Sequence, residues 1–121
     1  MIGRLLQNAL LVGAMLAALS FPAEPWSQPT PRRIEIVAKR FDFSPGEITI
    51  KKGEPVVLVI KSMDVQHGLR IRELNIDVKI KAHETTEVPF TPENTGDFVG
   101  HCSSFCGPDH GSMMLKLHVV D

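Results

Sequence analysis

One short segment near the end of the chain carries four side chains that are common metal ligands. Cys102, Cys106, His110 and Met113 follow one another in the spacing C-x3-C-x3-H-x2-M. Thiolate, imidazole and thioether together form a soft ligand set, which selects copper over hard cations. Zinc also binds Cys and His, but Met is a poor zinc ligand and the spacing in zinc sites is usually C-x2-C. The segment therefore predicts a copper site.

A disulfide between Cys102 and Cys106 is the competing interpretation, because paired cysteines in exported domains are usually oxidised. The full register of the segment favours metal. His67 supports this, since it lies at the start of a predicted strand about 35 residues before Cys102 and can reach the same end of a β-sandwich.

The N-terminal part of the chain resembles an export signal. Arg4 precedes a mostly apolar run over residues 5–21, and Ser20 offers a cleavage position. The run is also at the short limit for one membrane span. Residues 1–21 are therefore predicted to be a signal peptide or a single membrane anchor, and both alternatives place the rest of the chain outside the cytoplasm, in the periplasm.

The remaining chain divides into a linker and one domain. Residues 22–31 contain four prolines, which predicts an extended linker. Residues 32–121 then form a single domain with 12 basic and 13 acidic side chains. This near-neutral balance gives no indication of a nucleic-acid partner.

The domain shows strand periodicity and no convincing helical period. Seven short strands are predicted, with turn signals between them: 33–38, 47–51, 55–61, 69–71, 84–90, 97–100 and 114–120. The fold class is therefore all-β, a small Greek-key sandwich or barrel, with Phe41, Phe43, Phe90 and Phe98 as candidate core residues. The cysteine segment becomes a loop between the last two strands, at one end of the fold.

Three stretches give a specific resemblance: "MDVQHGLRI" (63–71), "LNIDVKI" (74–80) and "TGDFVGHCSSFCGPDHGSMMLKLHVV" (95–120). They resemble the cupredoxin domain of subunit II of cytochrome c oxidases, and the similar domain of nitrous-oxide reductase. That resemblance implies a CuA centre, in which two cysteine thiolates bridge two copper ions. It implies six ligands: bridging Cys102 and Cys106, terminal His67 and His110, axial Met113 on the copper of His67, and the backbone carbonyl of Ser104 on the other copper.

The sequence also departs from the subunit II pattern. Ser104 stands where a glutamate usually contributes to a magnesium site at the junction with subunit I. Leu69 stands where an aromatic residue is common, and Trp26 lies outside the domain. Lys79 and Lys81 occupy a stretch where acidic residues often dock cytochrome c. These departures favour a carrier over an oxidase subunit.

The expected function is therefore periplasmic electron transfer by a soluble or loosely tethered copper protein, not catalysis by the chain alone. Its partner would be a redox protein such as a cytochrome c or a terminal oxidase. Three alternatives stay open. They are the subunit II of a divergent oxidase, a periplasmic Cu(I) chaperone, and a blue-copper carrier with one copper bound by His67, Cys106, His110 and Met113 or Met114. Phe105, between the cysteines, is expected to shield the sulfurs from water.

Overall fold

The computed structural model describes residues 17–22 and 30–121, and its regular structure is almost entirely strand. Nine strands follow one another: β1 (Arg32–Lys39), β2 (Asp42–Ser44), β3 (Glu47–Lys51), β4 (Val56–Ser62), β5 (His67–Ile71), β6 (Ile76–Ile80), β7 (Thr85–Phe90), β8 (Gly96–His101) and β9 (Met114–Val120). Two single-turn 3-10 helices interrupt them, at Arg72–Leu74 and His110–Ser112.

The strands form two mixed sheets. One has the order β2-β1-β4-β7 and the other the order β3-β9-β8-β5-β6. Most neighbours are antiparallel, but β1 runs parallel to β4 and β3 runs parallel to β9. The chain therefore crosses between the sheets repeatedly, as Greek-key sandwiches do. The predicted all-β sandwich is confirmed.

The core lies between the two sheets and follows from alternation along the strands. Leu58 and Ile60 of β4 are fully buried, and so are Leu115 and Leu117 of β9. In β4 even the intervening Val57 and Val59 are largely covered, which confirms the prediction that this apolar run is buried on both faces. Burial of such side chains is the main stabilising contribution, at about 25 cal/mol per Å² of apolar surface.

Two strands were not predicted. The three residues of β2 are too few for a periodic signal. In β6, Ile76 and Ile80 face the core, but the exposed side carries Asp77 and Lys79 and the strand forms the edge of its sheet. Among the candidate core aromatics, Phe43 is buried, and the rest of that group packs against the core while partly exposed: Phe41, Phe90 and Phe98.

The predicted leader and linker fall mostly outside the described residues. Residues 1–16 of the leader and 23–29 of the linker are not described, and 17–22 are exposed without regular secondary structure. Within 17–22 and 30–121, no helix is long and apolar enough to cross a membrane.

Three strand ends meet at one edge of the five-stranded sheet. His67 is the first residue of β5, and His101, the last residue of β8, lies opposite Met114, the first residue of β9. Arg70 of β5 also lies opposite His101. This edge therefore brings His67 to the loop that joins β8 to β9.

Candidate metal centre

The two cysteines lie side by side in the β8–β9 loop without a bond between them. Cys102 follows the last residue of β8, and Cys106 lies four residues further on. Their Sγ atoms are 3.7 Å apart, whereas a disulfide requires about 2.05 Å. Both side chains are buried, with 4% of their surface exposed. The loop therefore holds a pair of free, nearly solvent-excluded thiols.

Each sulfur has a histidine nitrogen beside it. The Nδ1 atom of His67 lies 3.8 Å from Sγ of Cys102, and Nδ1 of His110 lies 3.8 Å from Sγ of Cys106. His67 is fully buried and His110, in the 3-10 helix of the loop, is half-buried. The four atoms form a chain N–S–S–N with nearly equal steps.

The two remaining predicted ligands also lie against the sulfurs. Sδ of the fully buried Met113 is 3.9 Å from Sγ of Cys106. The Ser104 carbonyl oxygen accepts a hydrogen bond from Sγ of Cys102 at 3.2 Å. Met114, the alternative thioether, is 41% exposed on β9. All six residues predicted as ligands thus lie in one cluster.

Backbone contacts fix the loop that carries these groups. The amide of Cys102 donates to the Met113 carbonyl at 3.1 Å, which closes the loop at its base. Gly107 has a φ of 143°, and a Cβ there would lie 2.8 Å from the Phe41 ring. Only glycine combines that backbone conformation with such a close approach. The β1–β2 turn therefore serves as a floor under the loop.

Arg40 and Asp64 link the loop to His67, although neither was predicted as part of the site. Nε of Arg40 donates to the Cys106 carbonyl at 2.9 Å, and its backbone amide donates to the Asp64 carboxylate at 2.8 Å. Oδ1 of Asp64 lies 2.6 Å from Nε2 of His67. With the proton on Nε2, His67 donates to the carboxylate and leaves Nδ1 free to bind a metal, a common arrangement around metal-binding histidines.

The spacing of Asp64, three residues before His67, is a sequence signal that could have identified this carboxylate. Arg40 offered no such signal, because it is 66 residues from Cys106 in the chain. Only the fold brings these two residues together.

The environment shifts two pKa values in the cluster. Burial, and then the hydrogen bond and charge of Cys102, raise the pKa of Cys106 to about 11. Partial burial also raises the pKa of Asp64, but hydrogen bonds from the amides of Arg40 and Val65 and from His67 outweigh it and lower that pKa to about 2. Cys106 is therefore a neutral thiol near pH 7 unless a cation replaces its proton.

Phe105 does not shield the sulfurs, so that prediction was wrong. Its side chain is 80% exposed, and its ring centroid lies 5.9 Å from that of His110. The sulfurs are covered by Met113 and the loop itself. The histidines expected to be bystanders lie away from the cluster: His118 is hydrogen-bonded to Asp97 at 2.6 Å, and His101 is exposed.

The donor set fits copper. A separation of 3.8 Å between Nδ1 and Sγ is long for a hydrogen bond, but it suits two ligands of one ion with bonds of about 2.0 and 2.3 Å. His67, Cys102 and Cys106 alone place their ligand atoms within 4.8 Å of one another. Two thiols, two imidazoles and a thioether match the soft ligands that copper prefers.

The chain belongs to the cupredoxin-like domain family, whose model matches residues 9–114. One relative is the cytochrome c oxidase subunit 2 of Thermus thermophilus, 28% identical over 106 residues that cover 80% of this chain and 78% of the relative. Against the subunit 2 of another strain of that species the coverage of the relative is 63%. The nitrous-oxide reductase of Cupriavidus necator is 29% identical over 90 residues, 71% of this chain but only 14% of the enzyme.

Solved structures show the same fold. The periplasmic domain of subunit II of the cytochrome oxidase of Bradyrhizobium japonicum superposes with a TM-score of 0.68 at 19% identity, covering 74% of this chain and 84% of that one. Auracyanin A, a blue copper protein from Chloroflexus aurantiacus, gives a TM-score of 0.60 at 21% identity, covering 75% of this chain and 100% of that one. The predicted resemblance to the subunit II domain is confirmed, and the fold is that of copper-binding electron-transfer proteins.

Proposed function

We propose that this protein transfers electrons through a CuA-like centre of two copper ions. Cys102 and Cys106 would bridge the ions, His67 and His110 would each bind one, and Met113 and the Ser104 carbonyl would be the weak ligands. The observation that carries the proposal is the N–S–S–N arrangement, in which two free thiols 3.7 Å apart each have one imidazole nitrogen at 3.8 Å. A site for one ion does not require this pairwise symmetry.

Electron transfer suits the site better than catalysis of a reaction on a substrate. Bound copper supplies a one-electron redox couple. The cysteines, His67 and Met113 are buried, so the protein fills the strong ligand positions and leaves little room for a substrate. The loop is tied to β8, β9 and the β1–β2 turn, and such rigid support keeps the ligands in place when the charge changes.

Copper content and spectra of the full chain test the proposal. A CuA-like centre predicts two coppers per chain, a purple colour and EPR hyperfine structure from one electron shared by two copper nuclei. Colourless Cu(I) binding without a reversible redox wave would instead indicate copper delivery, and would contradict electron transfer.

One copper bound as in blue-copper proteins is the second candidate. It is favoured by the contacts that Cys106 makes on its own, since both His110 Nδ1 and Met113 Sδ lie within 3.9 Å of its sulfur. It is also compatible with the fold shared with auracyanin A.

Matched serine substitutions separate the two candidates. In a binuclear centre each thiolate bridges both ions, so Cys102→Ser and Cys106→Ser should each abolish the purple spectrum and the shared-electron EPR signal. In a blue-copper site only Cys106→Ser should remove the colour. A Cys102→Ser protein that keeps its spectrum nearly unchanged would therefore rule out the binuclear centre.

We further propose that the protein works outside the cytoplasm as a carrier, with a role as subunit II of a divergent oxidase as the alternative. Ser104 supports the carrier: it offers no carboxylate toward a neighbouring subunit, and its hydroxyl accepts a hydrogen bond from Gln66 at 3.0 Å. Purification from native membranes and soluble extracts tests this. Copurification with a haem-containing membrane subunit would contradict the carrier.

A further inference from the structure

A cleft of about 550 Å³ lies on the outer face of the five-stranded sheet, directly beside Cys102. Its walls include His101 and Ser103, the chain neighbours of Cys102 on both sides. Six residues line it, and we call it the basic cleft: Arg70, Arg72, Glu73, Val99, His101 and Ser103. The cleft therefore opens next to one of the two proposed bridging sulfurs.

The charge around this cleft differs in sign from that of the rest of the domain. The segment 67–81, which contains β5 and β6, carries four basic residues and two acidic ones, a net charge of +2. The rest of residues 32–121 carries eight basic and eleven acidic residues, a net charge of −3. A surface of one sign on a domain of the other sign orients a charged partner before contact.

The acidic residues near the cleft do not cancel its charge. Nε of Arg70 lies 3.9 Å from the Asp77 carboxylate, and both side chains are about half exposed, so the pair is weak. Arg72 has no ion-pair partner within the described residues. Lys79, opposite Gly68 in the β5–β6 pairing, adds a third cation to the same outer face.

Exposed apolar side chains accompany the charges. Val99 lines the cleft and is 39% exposed, and Met114, opposite His101 in the β8–β9 pairing, is 41% exposed. Apolar contact within a charged rim is the usual composition of a protein–protein interface. A small anion would use the arginines but would gain nothing from these two side chains.

We propose that the basic cleft is the docking site for a redox protein whose contact surface is acidic. The proposal rests on the electron-transfer function proposed above and adds the charge of the partner to it. A carboxylate-rich surface would pair with Arg70 and Arg72 and cover Val99 and Met114. It would then contact residues joined by peptide bonds to Cys102, so that the electron path would start at the floor of the interface.

Two forms of one protein serve as probes: a basic cytochrome c, and the same cytochrome made acidic by succinylation of its lysines. Stopped-flow mixing with the copper-loaded full chain at low ionic strength should show faster electron transfer with the acidic form by about tenfold or more. The advantage should shrink as the ionic strength rises, because salt screens the attraction.

Charge reversal locates the effect. Arg70→Glu/Arg72→Glu should remove the advantage while leaving the copper spectrum unchanged. Lys51→Glu/Lys52→Glu makes the same change in charge at the opposite end of the sheet, where Lys51 pairs with Val120, and should keep most of the advantage. Equal rates for the two cytochromes, or equal losses in the two variants, would overturn the proposal.

An NMR titration of the ¹⁵N-labelled full chain without copper separates this proposal from the function itself. Acidic cytochrome should shift the amide signals of the basic cleft, and inorganic phosphate at the same ionic strength should not compete. If phosphate reproduces the shifts and abolishes cytochrome binding, the cleft is a small-anion site and the proposal fails. Cleft-specific cytochrome shifts in a protein that fails the copper tests would support the docking site and reject only the electron-transfer function.

Discussion

At the scale of single residues, the centre depends as much on the groups behind the ligands as on the ligands themselves. Asp64 orients the buried His67, and Arg40 holds both Asp64 and the Cys106 carbonyl. Loss of such supporting contacts typically weakens metal binding about 10- to 100-fold. The six ligands could be predicted because their types and spacing are visible in the sequence. Arg40 could not, because its role depends on a contact made only in the folded chain.

The Asp64 carboxylate also makes the stability of the copper-free protein depend on pH. Because its folded-state pKa is about 2, below the ordinary 3.8, the ionised form stabilises the fold above about pH 4, and this contribution is lost as the pH falls through 2. Asp64→Asn should lower the free energy of unfolding by about 1–2 kcal/mol near pH 6, because the side-chain amide cannot accept every hydrogen bond that the carboxylate accepts. The deficit should vanish towards pH 2.

Urea unfolding at several pH values between 6 and 2 measures this difference. Asp42→Asn, at an exposed position on β2, is the control and should change stability little at any pH. A deficit for Asp64→Asn that stays constant down to pH 2 would show that shape, not charge, is responsible.

At the scale of elements, the β1–β2 turn supports the ligand loop through Gly107. Gly107→Ala forces a Cβ to 2.8 Å from the Phe41 ring at a φ of 143°, so the loop must move. We expect a loss of about 1–3 kcal/mol in stability and weaker copper binding. Gly111→Ala is a matched control in the same loop, because a Cβ there meets nothing within 4 Å.

Thermal unfolding and copper titration of both variants test this prediction. The Gly111→Ala protein should stay within about 0.5 kcal/mol of the parent. If the two alanine variants behave alike, the contact between Gly107 and Phe41 does not position the loop.

The elements also show what a sequence can predict. Strands with one clearly apolar face or a continuous apolar run, such as β4 and β9, were predicted close to their observed bounds. The edge strand β6 was not, because charges on its exposed side obscure its alternation. The exposure of Phe105 was also not predictable, since an aromatic side chain in a loop gives no periodic signal that distinguishes shielding from exposure.

At the scale of the whole molecule, the pairing of strands distant in sequence sets the geometry of the site. His67 comes from β5 and the other ligands from the β8–β9 loop, and β5 reaches that loop only because it lies next to β8 in the sheet. The resemblance to subunit II supplied this arrangement in advance, whereas periodicity alone gave only the number and class of strands. The parallel pairs β1–β4 and β3–β9 follow from the topology and have no local signal.

The free thiol pair gives the protein an order of assembly. Two buried sulfurs 3.7 Å apart need only a small approach to form a disulfide, and an oxidising compartment favours that reaction. In air, the copper-free chain should lose both titratable thiols and take up no copper until a dithiol reductant restores them, whereas copper loaded first should preserve the sulfurs. Thiol counting before and after reduction tests this, and thiols that persist in air would contradict it. Maturation outside the cytoplasm would then require metal or reductant to reach the loop before oxidant does.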